Sequence, residues 1–314
     1  MKQVTITIPA TTANLGPGFD CLGLALGLYN YVTFTATDET EPQSANLPAG
    51  RFHITVEGVD AAKVPTDSSN LVAQTATLLF DLLGKRPSHL QIHQHNNIPV
   101  GSGLGSSSTA VLAGLLGANA IVNGNLTQSD LLQIATDLEG HPDNVAPALY
   151  GGLVLGTTTE ESLHIEHLPI APMQVVIVLP DYPLLTTDAR AALPEKISRA
   201  DAIYNAGHLG LLIPALAAGD YDKLAIAMHD KLHQPYRLPL IPGMDVAFDA
   251  AKKAGAFGVA LSGAGPSLIA FAPDHHQQIV EAVTAVFVRH GFDSRSWILP
   301  IDKTGCQIKT HNRA

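Results

Sequence analysis

The chain has 314 residues, of which 46% are hydrophobic and 15% charged, enough to bury the core of one large domain or two ordinary ones. Its 18 basic and 28 acidic residues give a net charge of -10 without a basic block, which argues against nucleic-acid and membrane-surface partners and favours a small molecule. Two cysteines are too few for a disulfide framework or a zinc site, and the N-terminal region lacks the apolar run of a signal peptide, so we expect a cytoplasmic protein.

The first half of the chain alternates strand and helix patterns. Alternating apolar residues predict strands over residues 4–8, 31–36, 52–58 and 89–95. Helical spacing predicts a helix over residues 70–83, with Ser68 or Ser69 as its N-cap and Gly84 at its end. The helix predicted over residues 107–122 is apolar all round and therefore buried. Thr127 and Asp130 form a capping-box pattern before a further helix that ends near residue 139.

The second half of the chain has the pattern of an α+β sandwich. Apolar runs predict strands over residues 173–180, 257–263 and 267–272, and helical spacing predicts helices over residues 215–229, 245–254 and 275–290. Residues 37–50 have the composition of the least ordered segment. Because the pattern changes near residues 160–172, we predict two domains, over residues 1–165 and 166–314.

The segment IPVGSGLGSSSTAVLAGLL, residues 98–116, places three glycines among four serines directly before the apolar helix. It is not a P-loop, because no lysine occurs between Lys85 and Lys196, and Ser106 stands where a dinucleotide fingerprint needs its third glycine. Glycines still let backbone N–H groups approach an anion, and the positive end of the following helix faces it. Taken alone, the loop is either a phosphate cradle or a flexible helix cap.

Two other segments also place glycine-rich turns at strand ends. PATTANLGPGFDCLG, residues 9–23, follows the first strand, and LSGAGPSLIAF, residues 261–271, inserts a small-residue turn between two strands. Three such turns at strand ends predict one shared site.

Together the three segments resemble the GHMP kinases. The phosphate motif of that family is matched by Pro99, Gly103, Leu104, Gly105, Ser106, Ser107 and Ser108, and LSGAGPS matches its C-terminal glycine motif. The branch of the family that phosphorylates L-homoserine is similar in PATTANLGPGFDCLGLAL, LEGHPDNVAPALYGG, LTTDARAALP and HDKLHQPYRLPLIPG as well. The resemblance spans residues 3–300 and implies a two-domain α+β fold: an N-terminal α/β domain with the phosphate loop, a C-terminal ferredoxin-like domain, and the site between them.

The resemblance also implies roles for individual residues. The residues expected to bind ATP are Pro99, Gly101, Gly103, Leu104, Gly105, Ser106, Ser107, Ser108 and Thr109. Ser107 and Glu139 are expected to hold Mg²⁺, which prefers hard oxygen donors. An amino-acid acceptor needs acids for its ammonium and arginines for its carboxylate, and the implied contacts are Asp20 and Asp143 for the former, Arg190 and Arg237 for the latter, and Asn14, His141, Thr186 and Gly263 for positioning. The groups assigned to catalysis are Ser107, Glu139, Asn144, which contacts the reacting hydroxyl, and Arg190.

The implied activity is transfer of the γ-phosphate of ATP to the side-chain hydroxyl of L-homoserine, a step toward threonine, by a homodimeric enzyme. His141 is expected to position the substrate rather than act as a general base, since phosphoryl transfer through a loose transition state demands little early proton abstraction. One alternative is a mevalonate-type kinase, whose acceptor has no ammonium for the two acids. The other is an inactive nucleotide-binding relative, which would be free to lose its charged site residues.

Overall fold

The first of two main sheets carries the first half of the chain and also its last strand. The computed structural model describes residues 2–36, 40–42, 52–159 and 162–312. The strands of this sheet are β1 (Lys2–Asn14), β2 (Gly18–Ala36), β4 (Phe52–Gly58), β6 (Leu90–Asn96), β7 (Leu153–Thr158), β8 (Leu163–Leu168) and β13 (Gln307–Asn312). They run in the order β13-β1-β2-β6-β4, with β7 paired to β2 and β8 paired to β7. Two short strands, β3 (Thr40–Pro42) and β5 (Lys85–Pro87), form a separate antiparallel pair outside the two main sheets.

Four helices pack on one face of this sheet: α1 (Leu71–Leu83), α2 (Ser106–Ile121), α3 (Gln128–Glu139) and α4 (Val145–Tyr150). The prediction that α2 is buried is confirmed, because this helix packs against β1 and β2 of the sheet and against α1. Two of its glycines permit that close approach. A β-carbon on Gly114 would lie 1.9 Å from Oγ1 of Thr75 in α1, and one on Gly117 would lie 2.1 Å from the ring of Phe34 in β2.

The helix ends show which capping signals were correct. Gly84 ends α1 in a left-handed conformation, and Thr127 and Asp130 form the predicted capping box of α3. The N-cap prediction for α1 is wrong: Asn70, rather than Ser68 or Ser69, accepts the hydrogen bond from the N–H of Ala73. Ser69 instead donates both its N–H and its hydroxyl to Asp67.

The second sheet is antiparallel and has the order β10-β11-β9-β12, with bounds β9 (Gln174–Pro180), β10 (Gly258–Leu261), β11 (Leu268–Phe271) and β12 (Ser294–Pro300). Its helices are α5 (Thr186–Ala191), α6 (Arg199–Ala218), α7 (Tyr221–Ala227), α8 (Gln234–Arg237), α9 (Met244–Lys253) and α10 (His276–Arg289). The strand–helix–strand–strand–helix–strand order confirms the predicted ferredoxin-like unit. The single helix predicted over residues 215–229 is wrong, since Gly219 ends α6 in a left-handed conformation and Asp220 caps α7.

The two sheets share a buried core, which fixes the cleft between them. Leu22 and Leu24 of β2 belong to the same apolar cluster as Val175 and Ile177 of β9. The domain boundary predicted after residue 165 falls inside β8, which continues to Leu168. The last strand, β13, lies in the second half of the sequence but pairs with β1 of the first sheet. Most of residues 37–50, predicted to be the least ordered segment, lies outside the described residues. Across the described ranges, no helix has both the length and the apolar character needed to cross a bilayer.

Candidate active site

The glycine-rich loop leads directly into the N terminus of α2. Gly101, Gly103 and Gly105 all have positive φ angles, of 66°, 76° and 72°, which glycine adopts without strain. Gly105 is the N-cap, and the first turn of α2 begins with three consecutive serines. The first N–H groups of a helix lack intrahelical partners and carry its positive dipole end. The loop therefore presents backbone donors and hydroxyls that suit a polyphosphate.

The loop touches the C-terminal glycine turn at Gly103. A β-carbon there would lie 2.3 Å from the carbonyl oxygen of Ser262 and 2.7 Å from that of Gly265. The hydroxyl of Ser262 donates to the Gly103 carbonyl at 2.7 Å, and the N–H of Gly263 donates to Ala13 at the end of β1. The three glycine-rich turns thus meet at one place, as the sequence predicted.

A cleft of about 280 Å³ lies where the turns meet. The predicted site residues that line it are Asn14, Asp20, Gly101, Gly103, Gly105, Ser106, Ser107, Ser108, Glu139, His141, Asp143, Asn144, Thr186, Arg190, Arg237 and Gly263. Three predicted ATP contacts lie behind its surface instead. Pro99 and Leu104 are buried, with their carbonyl oxygens bonded inside the protein, and the hydroxyl of Thr109 donates to the Ser106 carbonyl.

The Glu139 carboxylate bridges two serines of the loop. The hydroxyls of Ser107 and Ser108 each donate to one of its oxygens at 2.6 Å. Glu139 ends α3, where a negative charge is unfavourable, but it lies against the positive N terminus of α2. This contact compensates the charge and places two hard oxygen donors, Ser107 and Glu139, side by side at the cleft surface.

The residues before and at the start of α4 form a second polar group in the cleft. Nδ1 of His141 is in contact with the buried carboxylate of Asp143, which also accepts from the side-chain amide of Asn144 at 3.2 Å. The oxygen of that amide accepts from the hydroxyl of Thr11 at 2.8 Å. Burial lowers the pKa of His141, but its hydrogen bond to Asp143 and that carboxylate's charge outweigh burial and raise the pKa overall. His141 therefore keeps its proton to higher pH than a free imidazole.

Asp20 and Arg190 bind each other across the mouth of the cleft. The guanidinium donates to both carboxylate oxygens at 2.9 and 3.0 Å, and the side chains are 31% and 43% exposed. The hydrogen bond to Asp20 raises the pKa of Arg190. These two side chains were expected to bind opposite ends of an acceptor, and the structure shows that they pair with each other.

Arg237 is buried behind this pair. Its Nε donates to the Ala189 carbonyl at 3.2 Å and its Nη1 to the Gly263 carbonyl at 3.3 Å. Burial, followed by the neighbouring charge of Arg190, lowers its pKa. The charges of Asp20, Asp143 and Asp230 act in the opposite direction, but among the described residues no carboxylate forms a direct ion pair with Arg237. A buried cation with one end anchored on carbonyls can therefore bind an anionic ligand directly.

Asn14 and Thr186 complete the predicted set. Asn14 adopts a positive φ of 72°, and its side chain donates to the Gly263 carbonyl at 2.8 Å and accepts from the N–H of Asp20 at 3.0 Å. It therefore holds the first and third glycine turns together. Thr186 is exposed at the start of α5.

The cleft is also lined by Ser102, Leu138 and Ala264, which sequence reasoning missed. Ser102 and Ala264 lie inside the glycine-rich segments, so widening each motif to its whole turn would have found them. Leu138 precedes Glu139 at the helix end and carries no polar signal.

The fold and the site together define a class of small-molecule kinase. The family model described as "GHMP kinases N terminal domain" matches residues 70–152, and the one described as "GHMP kinases C terminal" matches residues 212–289. The chain therefore belongs to the GHMP kinase family, as the resemblance predicted.

Relatives within the family narrow the class. A homoserine kinase of Microchaete diplosiphon is 46% identical over 90% of this chain and 89% of its own, and one of Nostoc punctiforme is 42% identical over 98% of each. The crystal structure of homoserine kinase from Cytophaga hutchinsonii has a TM-score of 0.84 and 30% identity, covering 98% of this chain and 97% of its own. Within the GHMP kinases, the chain groups with the homoserine kinases.

Proposed function

We propose that the protein transfers the γ-phosphate of ATP to the side-chain hydroxyl of L-homoserine, giving O-phospho-L-homoserine for threonine biosynthesis. The observation that carries this proposal is the charge arrangement of the cleft: the carboxylates of Asp20 and Asp143 and the guanidiniums of Arg190 and Arg237 lie in one cavity with the phosphate loop. An α-amino acid has one ammonium and one carboxylate to match them. Mevalonate lacks the ammonium.

The acceptor is proposed to replace the Asp20–Arg190 ion pair with its own charges. Its ammonium binds Asp20 and Asp143, while its carboxylate binds Arg190 and Arg237. Exposed ion pairs contribute only about 0–1 kcal/mol, so separating this partly exposed pair costs little. Each freed group then gains a charged partner from the acceptor, which favours a zwitterion over a ligand with a single charge.

The triphosphate of ATP is proposed to lie on the loop and the first turn of α2. Ser106 lines both the main cleft and a neighbouring cavity of about 50 Å³. The other walls of that cavity are Ile8, Asn30, Val32, Val64, Val72, Gln94, Asn96, Thr109 and Ala110. Apolar side chains with a few amides suit a heterocyclic base, so we place the adenine there.

Glu139 and Ser107 are proposed to hold Mg²⁺. The donor set fits this ion, because a carboxylate and a hydroxyl oxygen lie 2.6 Å apart at the cleft surface. Bound Mg²⁺ would neutralise phosphate charge.

The rate of phosphoryl transfer is proposed to depend on the positioning of the acceptor hydroxyl and on positive charge near the transferred group. Asn144, fixed by Thr11 and Asp143, orients the acceptor hydroxyl, and Arg190 supplies positive charge near the transferred group. The raised pKa of His141 favours its protonated form. In that form the ring donates hydrogen bonds and cannot accept the proton of the acceptor hydroxyl. The hydroxyl proton passes finally to the transferred phosphate itself, as a loose transition state allows.

An assay of ADP release with different acceptors tests the activity. We expect turnover with L-homoserine and much slower turnover with 4-hydroxybutyrate, which lacks the ammonium. Mevalonate and galactose should give the acceptor-free background. Turnover of mevalonate without turnover of L-homoserine would overturn the proposal, and binding of ATP with no acceptor turned over would indicate an inactive relative.

His141→Ala is expected to raise KM for L-homoserine by about tenfold or more, the cost of one hydrogen bond to a charged group, and to leave kcat within about threefold. His290→Ala serves as control, because within the described part of the chain the hydrogen-bond partner of the His290 side chain is the Val286 carbonyl, one turn earlier. A fall in kcat of about 100-fold with loss of one limb of the pH profile would instead identify His141 as a general base.

A cytoplasmic location and a homodimer are further parts of the proposal, and both rest on the family. Light scattering on the purified chain tests the dimer, and a monomeric mass would exclude it.

A further inference from the structure

His233 lies behind Arg237 and is completely buried. Its side chain is 0% exposed, and its Nε2 lies 2.8 Å from the carbonyl oxygen of Gly16. A carbonyl can only accept, so Nε2 carries the proton in this contact. The opposite ring nitrogen, Nδ1, lies 3.4 Å from Nη1 of Arg237 and can accept a hydrogen bond from it when the imidazole is neutral.

The surroundings keep this imidazole neutral. Burial is the largest influence on the pKa of His233 and lowers it, and the charge of Arg237 acts in the same direction against the raising effect of Asp230. The Asp230 carboxylate accepts four hydrogen bonds, from the side chain of Asn205 and from the N–H groups of residues 232–234. It is therefore satisfied without a second proton on His233. Arg237 faces a lone pair rather than another positive charge.

The ring of Phe19 contacts both His233 and Arg237. It stacks on His233 with ring centroids 5.1 Å apart and planes inclined by 21°. The guanidinium carbon of Arg237 lies 5.1 Å from the centre of the same ring, and that of Arg190 lies 5.8 Å from it. A guanidinium is attracted to an aromatic ring, so Phe19 offsets the repulsion between the two arginines. Phe19 directly precedes Asp20, so one turn supplies both the ring and the acid.

We propose that Phe19 and His233 are positioning residues for the acceptor, which fix the guanidinium of Arg237 so that its Nη2 is left for the acceptor's carboxylate. This inference rests on the proposed function. Within the described residues, the hydrogen bonds of Arg237 engage Nε and Nη1, with Ala189, Gly263 and His233 as partners. The ring and the imidazole restrict the guanidinium further, so less conformational freedom is lost when the acceptor binds.

The test compares L-homoserine with L-homoserinamide, which keeps the hydroxyl and ammonium but has no carboxylate. Phe19→Leu and His233→Leu should each lower kcat/KM for L-homoserine by about tenfold, mainly through KM, with KM for ATP unchanged within about twofold. For the amide, the loss should stay within about twofold. His233→Gln should recover most of the loss, because one amide can donate to Gly16 and accept from Arg237.

Phe52→Leu is the matched control for loss of a ring. Phe52 is partly buried like Phe19, but it packs on Phe80, away from the cleft. Equal losses with both acceptors, or no rescue by His233→Gln, would overturn the inference. If His233→Leu does not fold, Phe19→Leu measured against Phe52→Leu decides alone. Failure of the wild-type protein to turn over L-homoserine would count against the proposed function, whereas equal losses in an active enzyme would count against this inference only.

Discussion

Glu139→Gln is expected to lower kcat for L-homoserine phosphorylation by about 100- to 1,000-fold, the usual cost of removing one group that stabilises transition-state charge. The amide keeps the shape of the side chain, so the contacts with Ser107 and Ser108 can be largely retained. What is lost is the negative charge that we assign to Mg²⁺ binding. KM for L-homoserine should stay within about threefold, because Glu139 belongs to the nucleotide side of the cleft.

The dependence of the rate on Mg²⁺ concentration provides a second measurement. The variant should need more Mg²⁺ to reach half of its maximal rate, and its melting temperature should change little. Asp137→Asn is the matched control, since Asp137 lies in the same last turn of α3 and is exposed. Among the residues that the structure describes, the partner of its side chain is Gln133. If Glu139→Gln retains kcat within about threefold, Glu139 serves only to accept the hydrogen bonds of the two serines, and the metal assignment is wrong.

Sequence reasoning succeeded where the structural signal is local. A left-handed Gly84 and the Thr127–Asp130 capping box each depend on residues within one turn, so a single sequence contains the whole interaction. The buried character of α2 could also be predicted, because its side chains are apolar on every face.

The incorrect N-cap prediction for α1 and the unpredicted Asp20–Arg190 pair both involve residues that are distant in the sequence. Asn70 caps α1 because its amide also donates to the Pro65 carbonyl and accepts from Gln94, contacts that stabilise it against the neighbouring serines. The Asp20–Arg190 pair joins residues far apart in the chain, and no spacing rule predicts it. In both cases a deciding partner lies far away in the sequence, so only the fold reveals it.

The return of β13 to β1 escaped prediction for a different reason. Its sequence QIKTHN is largely polar and exposed, so an apolar pattern cannot identify it. Backbone pairing with β1 alone places it in the sheet. His233 was similarly hidden, since its importance comes from its contact with Arg237 rather than from its own surroundings in the sequence.

Gly103→Ala is expected to lower the free energy of unfolding by about 3 kcal/mol and kcat/KM for ATP by about 100-fold. The new methyl group would lie 2.3 Å from the Ser262 carbonyl oxygen, and backbone atoms cannot rotate away as a side chain does. The phosphate loop and the C-terminal turn must therefore separate, which breaks the bond from Ser262 to the Gly103 carbonyl. For a chain of this size, the melting temperature should fall by about 5 °C.

Gly101→Ala separates steric contact from backbone strain. Gly101 belongs to the same loop and also has a positive φ, of 66°, but a methyl group there would meet no atom within 4 Å. Its substitution should cost only the strain of a left-handed alanine, about 1 kcal/mol, and should reduce kcat/KM for ATP much less. Equal effects of the two alanines would mean that Gly103 is needed only for its backbone angle. A larger effect at Gly103 would show that the close contact between the phosphate loop and the C-terminal glycine turn holds the loop in its active conformation.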